Sequence, residues 1–115
     1  MKKIIFADDD PTIQDVIHLI LDDRYEIKTY TDGAPLLYGD FELPDLFLVD
    51  RQLLSVDGLE ICRHLKKQST TKDIPVIIIS ASPNITSLAQ SAGADDVIEK
   101  PFLIQELRQK IASYI

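Results

Sequence analysis

The sequence lacks several features that define other classes of protein. Its single cysteine, Cys62, cannot form an internal disulfide. No apolar stretch approaches the roughly 20 residues that a membrane-spanning helix needs, and the acidic run Asp8–Asp10 excludes a signal peptide near the start. No repeat, low-complexity tract or linker divides the 115 residues. These absences favour one cytoplasmic domain over residues 1–115, away from the membrane.

Positive charge is also scarce. Twelve Lys and Arg residues face 19 Asp and Glu residues, for a net charge of -7. Because binding to a phosphate backbone relies on clustered basic residues, we expect no direct nucleic-acid binding by this domain. The partners are expected to be proteins or cations. The length allows one core but is short for a catalytic domain with a substrate-binding cap.

Four apolar segments each end on a charged or hydroxyl side chain. The segment Leu46–Val49 runs without alternation, which is typical of a strand buried on both faces, and it ends on Asp50. The other three lead to Asp8, Ser80 and Lys100. The carboxyl ends of parallel strands line one crevice, so we expect these side chains to converge there.

Helical patterns alternate with these segments. The segment after Pro11 repeats apolar residues at helical spacing, and the last segment does the same. The predicted inner faces are Ile13, Val16, Ile17, Ile20 and Leu21, and then Leu103, Ile104, Leu107, Ile111 and Tyr114. Only a short helix is expected within residues 34–44, because Pro35, Gly39 and Pro44 interrupt that segment.

The burial pattern also orders the strands. Tyr25–Tyr30 alternates polar and apolar residues, and the fifth strand near Val97 is polar at both ends, so both belong at sheet edges. The predicted fold is therefore α/β: a flavodoxin-like (βα)5 three-layer sandwich with a five-stranded parallel sheet of order 2-1-3-4-5. Its switch point lies between strands one and three, which places Asp8, Asp9 and Asp10 beside Asp50.

Converging carboxylates repel one another unless a cation lies among them. Magnesium suits oxygen ligands and commonly bridges to phosphate. A central Asp50 with Lys100 and Ser80 nearby therefore indicates phosphoryl chemistry, in which the carboxylate itself acts as the nucleophile and becomes an aspartyl phosphate. Lys100 would pair with the phosphoryl group, and the Ser80 hydroxyl would donate a hydrogen bond to it.

These residues resemble the receiver domain of two-component response regulators over essentially the whole chain. Five elements match in order: the acidic pair Asp8-Asp9, the acceptor Asp50, Asp57-Gly58, Ser80-Ala81 and Lys100-Pro101-Phe102. The resemblance implies that a histidine kinase or a histidine phosphotransfer protein donates a phosphoryl group to Asp50, which switches interactions with a downstream protein. It also implies that the domain is not an enzyme that acts on other substrates, although such domains catalyse their own phosphorylation and dephosphorylation.

The resemblance also implies the metal ligands. Asp9 would ligate magnesium directly, Asp8 directly or through water, and the backbone carbonyl of Gln52 would be a further ligand beside Asp50. Receivers typically have a cis bond at the position matching Lys100-Pro101.

Several positions depart from the family pattern. Leu54 stands where a proline is usual, and Val97 stands where a Tyr or Phe usually couples the site to the output face. Gln52 and Ser82 occupy the positions that tend to set the access of water to the aspartyl phosphate.

Two other functions remain open from the sequence. The segment Asp8–Thr12 also fits the D-x-D-x-T motif of haloacid-dehalogenase-type phosphatases, which would make Asp8 the nucleophile and leave Asp50 without a role. The chain could also be a docking module with a receiver fold and no phosphorylation. Whether it is a stand-alone receiver or part of a longer regulator or hybrid kinase stays open too.

Overall fold

The computed structural model describes all 115 residues, in which five strands alternate with five helices. The elements are β1 (Lys2–Ala7), α1 (Pro11–Leu21), β2 (Tyr25–Tyr30), α2 (Ala34–Tyr38), β3 (Leu46–Asp50), α3 (Gly58–Lys67), β4 (Val76–Ser80), α4 (Ile85–Ser91), β5 (Asp96–Glu99) and α5 (Ile104–Tyr114). All neighbouring strands pair in parallel, in the order β2-β1-β3-β4-β5. The predicted topology is confirmed.

Two hydrophobic cores cover the two faces of this sheet. Phe47 and Val49 of β3 face α2, α3 and α4, whereas Leu46 and Leu48 face α1 and α5. All four side chains are fully buried. Burial of one such side chain contributes roughly 1.5–3 kcal/mol, which explains why the central strands are apolar without alternation.

Side-chain caps fix where α1 and α3 begin. The Asp10 carboxylate accepts a hydrogen bond of 2.9 Å from the backbone N–H of Thr12, and Asp57 accepts one of 2.9 Å from that of Leu59. Each cap stabilises its helix by about 1 kcal/mol. Because α1 follows β1 and α3 follows β3, the caps also fix the loops at the carboxyl edge of the sheet.

Helix α2 has only five residues, as its glycine and prolines predict. It ends at Gly39, which has a φ of 74°, a left-handed conformation that favours glycine. The longest helices, α1 and α5, have 11 residues each. None of the helices combines the length and apolar character needed to cross a bilayer.

The predicted inner faces of α1 and α5 are partly wrong. Val16 is 39% exposed, and Leu103, Ile104 and Tyr114 are 75%, 53% and 36% exposed. Leu103 precedes α5, while Val16 and Ile104 line a shallow, mainly apolar depression next to Phe102. Helical spacing identifies one side of a helix, but these residues lie where the neighbouring elements do not reach far enough to cover that side.

Candidate functional site

The carboxyl ends of four strands bring the predicted site residues together. Asp50 ends β3 and pairs in register with Ile79, so Ser80 lies one residue further along the adjacent strand. The backbone N–H of Lys100, just after β5, donates a 2.9 Å hydrogen bond to the Ser80 carbonyl. Asp8 follows β1 on the other side of β3. The crevice therefore lies at the switch point of the sheet, as predicted.

Asp50 lies at the centre of this crevice and is 3% exposed. One carboxylate oxygen, Oδ1, accepts a 2.8 Å hydrogen bond from the backbone N–H of Gln52. The other, Oδ2, forms an ion pair with the ammonium group of Lys100. This partly exposed lysine therefore holds a positive charge at the carboxylate that the sequence predicts to be the nucleophile.

Asp8 is equally buried, at 2% exposure, but is less well satisfied. Its Oδ1 accepts a 2.9 Å hydrogen bond from the backbone N–H of Asp10, whereas its Oδ2 is buried without a hydrogen-bond partner. Burial raises the pKa of the Asp8 carboxyl to about 7, and the negative charge of Asp50 adds to the rise. A buried carboxylate oxygen without a donor is an unusual feature that a cation would satisfy.

The donor set at this edge fits magnesium in its chemistry. Asp8 and Asp50 are close enough to interact, and carboxylate oxygens are preferred ligands of hard cations. The structure does not assemble the larger cluster, because no three Asp, Glu, His or Cys side chains are arranged to hold one metal ion. Asp9 lies half-buried on the same loop, and its role, like that of the Gln52 carbonyl, stays a prediction.

Ser80 is buried at the end of β4, with 4% exposure. Its hydroxyl oxygen accepts a 2.9 Å hydrogen bond from the backbone N–H of Ser82. Because a hydroxyl can accept and donate at once, the Ser80 proton remains available for an oxygen placed in the crevice. The same contact links Ser80 to the β4–α4 loop.

Sequence reasoning missed Arg51, which follows Asp50 directly. Its guanidinium Nη1 donates a 2.9 Å hydrogen bond to the Ser82 hydroxyl, and its Nε lies 3.6 Å from the Asp57 carboxylate. The side chain thus joins the β3–α3 loop to the β4–α4 loop. Its position beside Asp50 was the only signal in the sequence, since the partners of a long side chain depend on the tertiary structure.

The β3–α3 loop is held closely against the site at its other end. The backbone N–H of Gly58 donates a 2.7 Å hydrogen bond to the carbonyl of Arg51. A Cβ atom at position 58 would lie 2.3 Å from the carbonyl oxygen of Asp50, so only glycine fits there. The middle of the loop is tied to the β2–α2 turn, because the Ser55 hydroxyl donates to Asp32. This contact anchors the loop at the residue after Leu54. The side chain of Leu54 itself is 71% exposed.

Two other expectations concern the neighbouring strand β5. The peptide bond between Lys100 and Pro101 is cis, as the resemblance implied. Val97 is half-buried and packs against the core below α2, α3 and α4. An aliphatic side chain therefore occupies the position where an aromatic one was expected to couple the site to the output face.

A doubly wound five-stranded sheet with acidic residues, a hydroxyl and a lysine at its switch point is the arrangement that the resemblance to receiver domains implies. The sequence model of the response regulator receiver domain matches residues 4–112. The chain therefore belongs to the response regulator receiver domain family and is a receiver domain of the two-component type.

Similar curated proteins are longer than this chain. It is 33% identical over 119 residues to the DNA-binding dual master transcriptional regulator RpaA of a Synechocystis species, covering 100% of this chain and 49% of that protein. It is 35% identical over 119 residues to response regulator ArlR of Staphylococcus saprophyticus, covering 100% of this chain and 53% of that protein. The chain thus spans about half the length of these relatives.

Solved structures share the fold along the whole chain. Response regulator TrrA of Thermotoga maritima, crystallised in complex with Mg2+-BeF, has a TM-score of 0.87 and 30% identity, with 100% of both chains covered. The receiver domain of sensor histidine kinase PA1611 of Pseudomonas aeruginosa has a magnesium ion coordinated in its active site cleft. It has a TM-score of 0.88 and 25% identity, with 98% of this chain and 96% of that chain covered.

Proposed function

We propose that Asp50 accepts a phosphoryl group, in a magnesium-dependent reaction, from a histidine kinase or a histidine phosphotransfer protein. The observation that carries this proposal is the contact between the buried Asp50 carboxylate and the Lys100 ammonium, beside the unsatisfied oxygen of Asp8. The crevice thus brings together a nucleophile, a positive charge and an oxygen that can bind a cation.

In this reaction a carboxylate oxygen of Asp50 attacks the phosphorus atom of the donor. The P–O bond to Asp50 forms while the P–N bond to the donor imidazole breaks, and the imidazole nitrogen takes a proton from solvent. Lys100 pairs with a transferred oxygen, and the Ser80 hydroxyl donates a hydrogen bond to another. Asp8, Asp9, Asp50 and the Gln52 carbonyl would hold magnesium, which would supply positive charge next to the phosphoryl oxygens.

The product changes the charge of a packed crevice. An aspartyl phosphate carries about -1.5 to -2 charges at neutral pH, estimated from other phosphorylated side chains, in place of the single negative charge of the Asp50 carboxylate. The positive charge of Lys100 and the hydroxyl of Ser80 are both attracted to the phosphoryl oxygens. Ser80 is also bonded to the β4–α4 loop through Ser82. The switch thus alters a surface that a downstream protein recognises. Because Val97 replaces the usual aromatic residue, the loops carry this change.

The proposal includes three properties that concern the protein as a whole. The domain catalyses its own phosphorylation and dephosphorylation but acts on no other substrate. It binds proteins and does not itself bind nucleic acid, which its excess of acidic residues supports. It works in the cytoplasm, which the buried, unpaired Cys62 supports.

The first test is intact-mass spectrometry after incubation with a small-molecule phosphodonor and magnesium. The wild type is compared with Asp50→Asn and Asp8→Asn, each also with EDTA in place of magnesium. We expect one phosphoryl adduct in the wild type that requires magnesium and is absent from Asp50→Asn.

The same experiment separates the other functions. An adduct that survives Asp50→Asn but is lost in Asp8→Asn would identify Asp8 as the nucleophile, as in haloacid-dehalogenase-type phosphatases. Absence of an adduct from every sample would favour a docking module with a receiver fold.

A further inference from the structure

The two outermost strands of the sheet, β2 and β5, differ in how their outer backbone groups are satisfied. At β5, the Val97 N–H donates a 2.8 Å hydrogen bond to the Asp96 carboxylate, and the Val97 carbonyl accepts one of 2.7 Å from the Lys110 ammonium. Side chains therefore occupy that side of the sheet. Strand β2 pairs only with β1, and no side chain makes a corresponding bond to its outer backbone groups. The outer side of β2 is thus open to a further strand.

The hydrogen bonds to β1 show which residues of β2 face outward. The Tyr30 carbonyl accepts a 3.0 Å hydrogen bond from the N–H of Asp8, just beyond β1, so Tyr30 directs its backbone groups toward β1. Successive residues of a strand direct their N–H and C=O groups to opposite sides, so Glu26 and Lys28 also bond to β1. The residues whose backbone groups point away from the sheet are Tyr25, Ile27 and Thr29.

The charged side chains of β2 lie on a part of the sheet that no helix covers. Glu26 and Lys28 are both exposed, and they share a face of the sheet with Tyr30, which packs against the core below α2, α3 and α4. Because α2 has only five residues, a depression of about 650 Å³ lies over β1 and β2, lined in part by Glu26, Lys28 and Gly39–Glu42. Both side chains can therefore reach a strand placed beside β2.

A second copy of β2, placed antiparallel, matches this pattern of backbone groups and charges. Outward residues must lie opposite outward residues for their N–H and C=O groups to bond. When Ile27 lies opposite Ile27 of the second copy, this condition is met along the whole strand. Each Glu26 then lies opposite a Lys28 of the other copy, on the same face of the joined sheet. Opposite charges in such cross-strand pairs stabilise the pairing.

The charges also disfavour the two neighbouring registers. A shift in one direction places Glu26 opposite Glu26 of the second copy, and a shift in the other places Lys28 opposite Lys28. Like charges directly opposite each other destabilise a strand pair. Charged residues on an outermost strand usually prevent association. Here they prevent it in the wrong registers and favour it in the one centred on Ile27.

We propose that β2 pairs antiparallel with β2 of a second copy of this chain, about a two-fold axis at Ile27, so that two five-stranded sheets become one continuous sheet. The pairing does not involve the crevice around Asp50, so it stands or falls independently of phosphorylation. One strand buries less area than the roughly 1,000 Å² of a stable interface, so we expect a weak dimer with a Kd of about 0.1–1 mM.

The test is sedimentation equilibrium of the full chain from about 10 µM to about 1 mM, the range that brackets the expected Kd. Wild type, Glu26→Lys, Lys28→Glu and an equal mixture of the two variants are compared. Each variant alone places like charges opposite each other at both cross-strand pairs, so its dimer should be at least about tenfold weaker. In the mixture both pairs of a heterodimer have opposite charges, so association should return to about the wild-type level.

Two kinds of control separate pairing at β2 from general effects. Asp73→Lys and Lys72→Glu make the same charge changes at exposed positions between α3 and β4, and both should dimerise like the wild type. Thr29→Pro removes an outward N–H but no hydrogen bond to β1, so it should abolish the dimer and keep the fold. Circular dichroism of Thr29→Pro verifies that the variant is folded.

Hydrogen exchange by NMR tests the register. The amides of Tyr25, Ile27 and Thr29 should exchange more slowly as the protein concentration rises, because they gain acceptors in the dimer. The amides of Glu26 and Lys28 already bond to β1, so their exchange should not depend on concentration.

Three results would overturn the proposal. The first is a wild type that stays monomeric over the whole concentration range, which would leave β2 open to a strand of a different protein. The second is a mixture of Glu26→Lys and Lys28→Glu that associates no better than either variant alone. The third is a wild-type dimer in which the exchange of the Ile27 amide does not change.

Discussion

The two edges of the sheet use the same residue types for different purposes. At the amino edge, Asp45 precedes β3, and its carboxylate accepts a 2.7 Å hydrogen bond from the backbone N–H of Lys3. Asp95 precedes β5 and accepts hydrogen bonds from the Val76 N–H at 2.8 Å and from the Lys66 ammonium at 2.7 Å. These acids extend the hydrogen bonding of the sheet beyond its strands, so their charges are satisfied by the fold itself.

At the carboxyl edge the acids are buried more deeply and satisfied less completely. Asp8 and Asp50 interact with each other, and one Asp8 oxygen has no donor. The single lysine at this edge that pairs with them, Lys100, reaches Asp50. Burial of opposed carboxylates lowers the stability of a protein, which supports placing the proposed site at this edge. The comparison indicates that incomplete satisfaction, more than the number of acids, separates a site from a structural ion pair.

The largest expected difference comes from removing the lysine at each edge. Lys100→Met should slow phosphorylation of Asp50 about 100-fold, the usual effect of losing one charged group that stabilises a transition state. Lys66→Met should leave that rate unchanged but lower the free energy of unfolding by about 2 kcal/mol. Lys66 also donates to the carbonyls of Lys72 and Ile74, and methionine cannot replace these bonds.

Initial rates of adduct formation and urea unfolding of both variants provide the measurements. Equal slowing of Asp50 phosphorylation by Lys100→Met and Lys66→Met would show that the two edges of the sheet do not differ in function.

The fold could be predicted from the sequence because its signals are local. Leu46–Val49 is apolar throughout, so it must be covered on both faces and lie inside the sheet. Tyr25–Tyr30 alternates polar and apolar residues, so it belongs at an edge. These two assignments largely determine the order of the strands. Asp50 and Lys100 could be assigned to one crevice because each ends a strand, and parallel strands bring their carboxyl ends together.

Other features could not be predicted because they depend on how far neighbouring elements extend. The spacing of Val16 and Ile104 indicates the side of each helix that faces the core, but not the open depression between α1 and α5 into which both project. The link between Arg51 and Ser82 joins residues 31 positions apart, through a long side chain whose direction no local pattern determines. The unsatisfied Asp8 oxygen is likewise a property of the assembled crevice.

A smaller and opposite pair of effects is expected from neutralising one acid at each edge. Asp8→Asn should raise the free energy of unfolding of magnesium-free protein by about 1–2 kcal/mol at a pH above the raised Asp8 pKa of about 7, because there it removes one of two opposed buried charges. The new amide keeps an oxygen for the Asp10 N–H and can direct a donor toward Asp50. Asp95→Asn should lower the stability by up to about 1 kcal/mol, since it weakens a partly exposed ion pair with Lys66.

Urea unfolding in EDTA measures both changes, and adding magnesium provides the control. Magnesium should stabilise the wild type and Asp95→Asn but have little effect on Asp8→Asn, because only that variant has lost a proposed ligand. Destabilisation by Asp8→Asn in EDTA would mean that the crevice is satisfied without a cation.

The smallest effect is expected at an exposed ion pair of the amino edge, between Lys3 and Glu42 at 3.0 Å. The hydrogen bond and charge of Glu42 raise the pKa of Lys3 above its usual 10.5, so the pair contributes stability below that pH and loses it as the pH rises through the raised value. Both side chains are well exposed, and solvent screens such pairs strongly. Glu42→Gln should therefore leave the Tm at pH 7 within the scatter of replicate melts and remove only a weak loss of stability above pH 10.5. A Tm loss in Glu42→Gln as large as that in Asp95→Asn would contradict this comparison. It would show that a hydrogen bond to a strand end does not make an acid of this edge more important for stability.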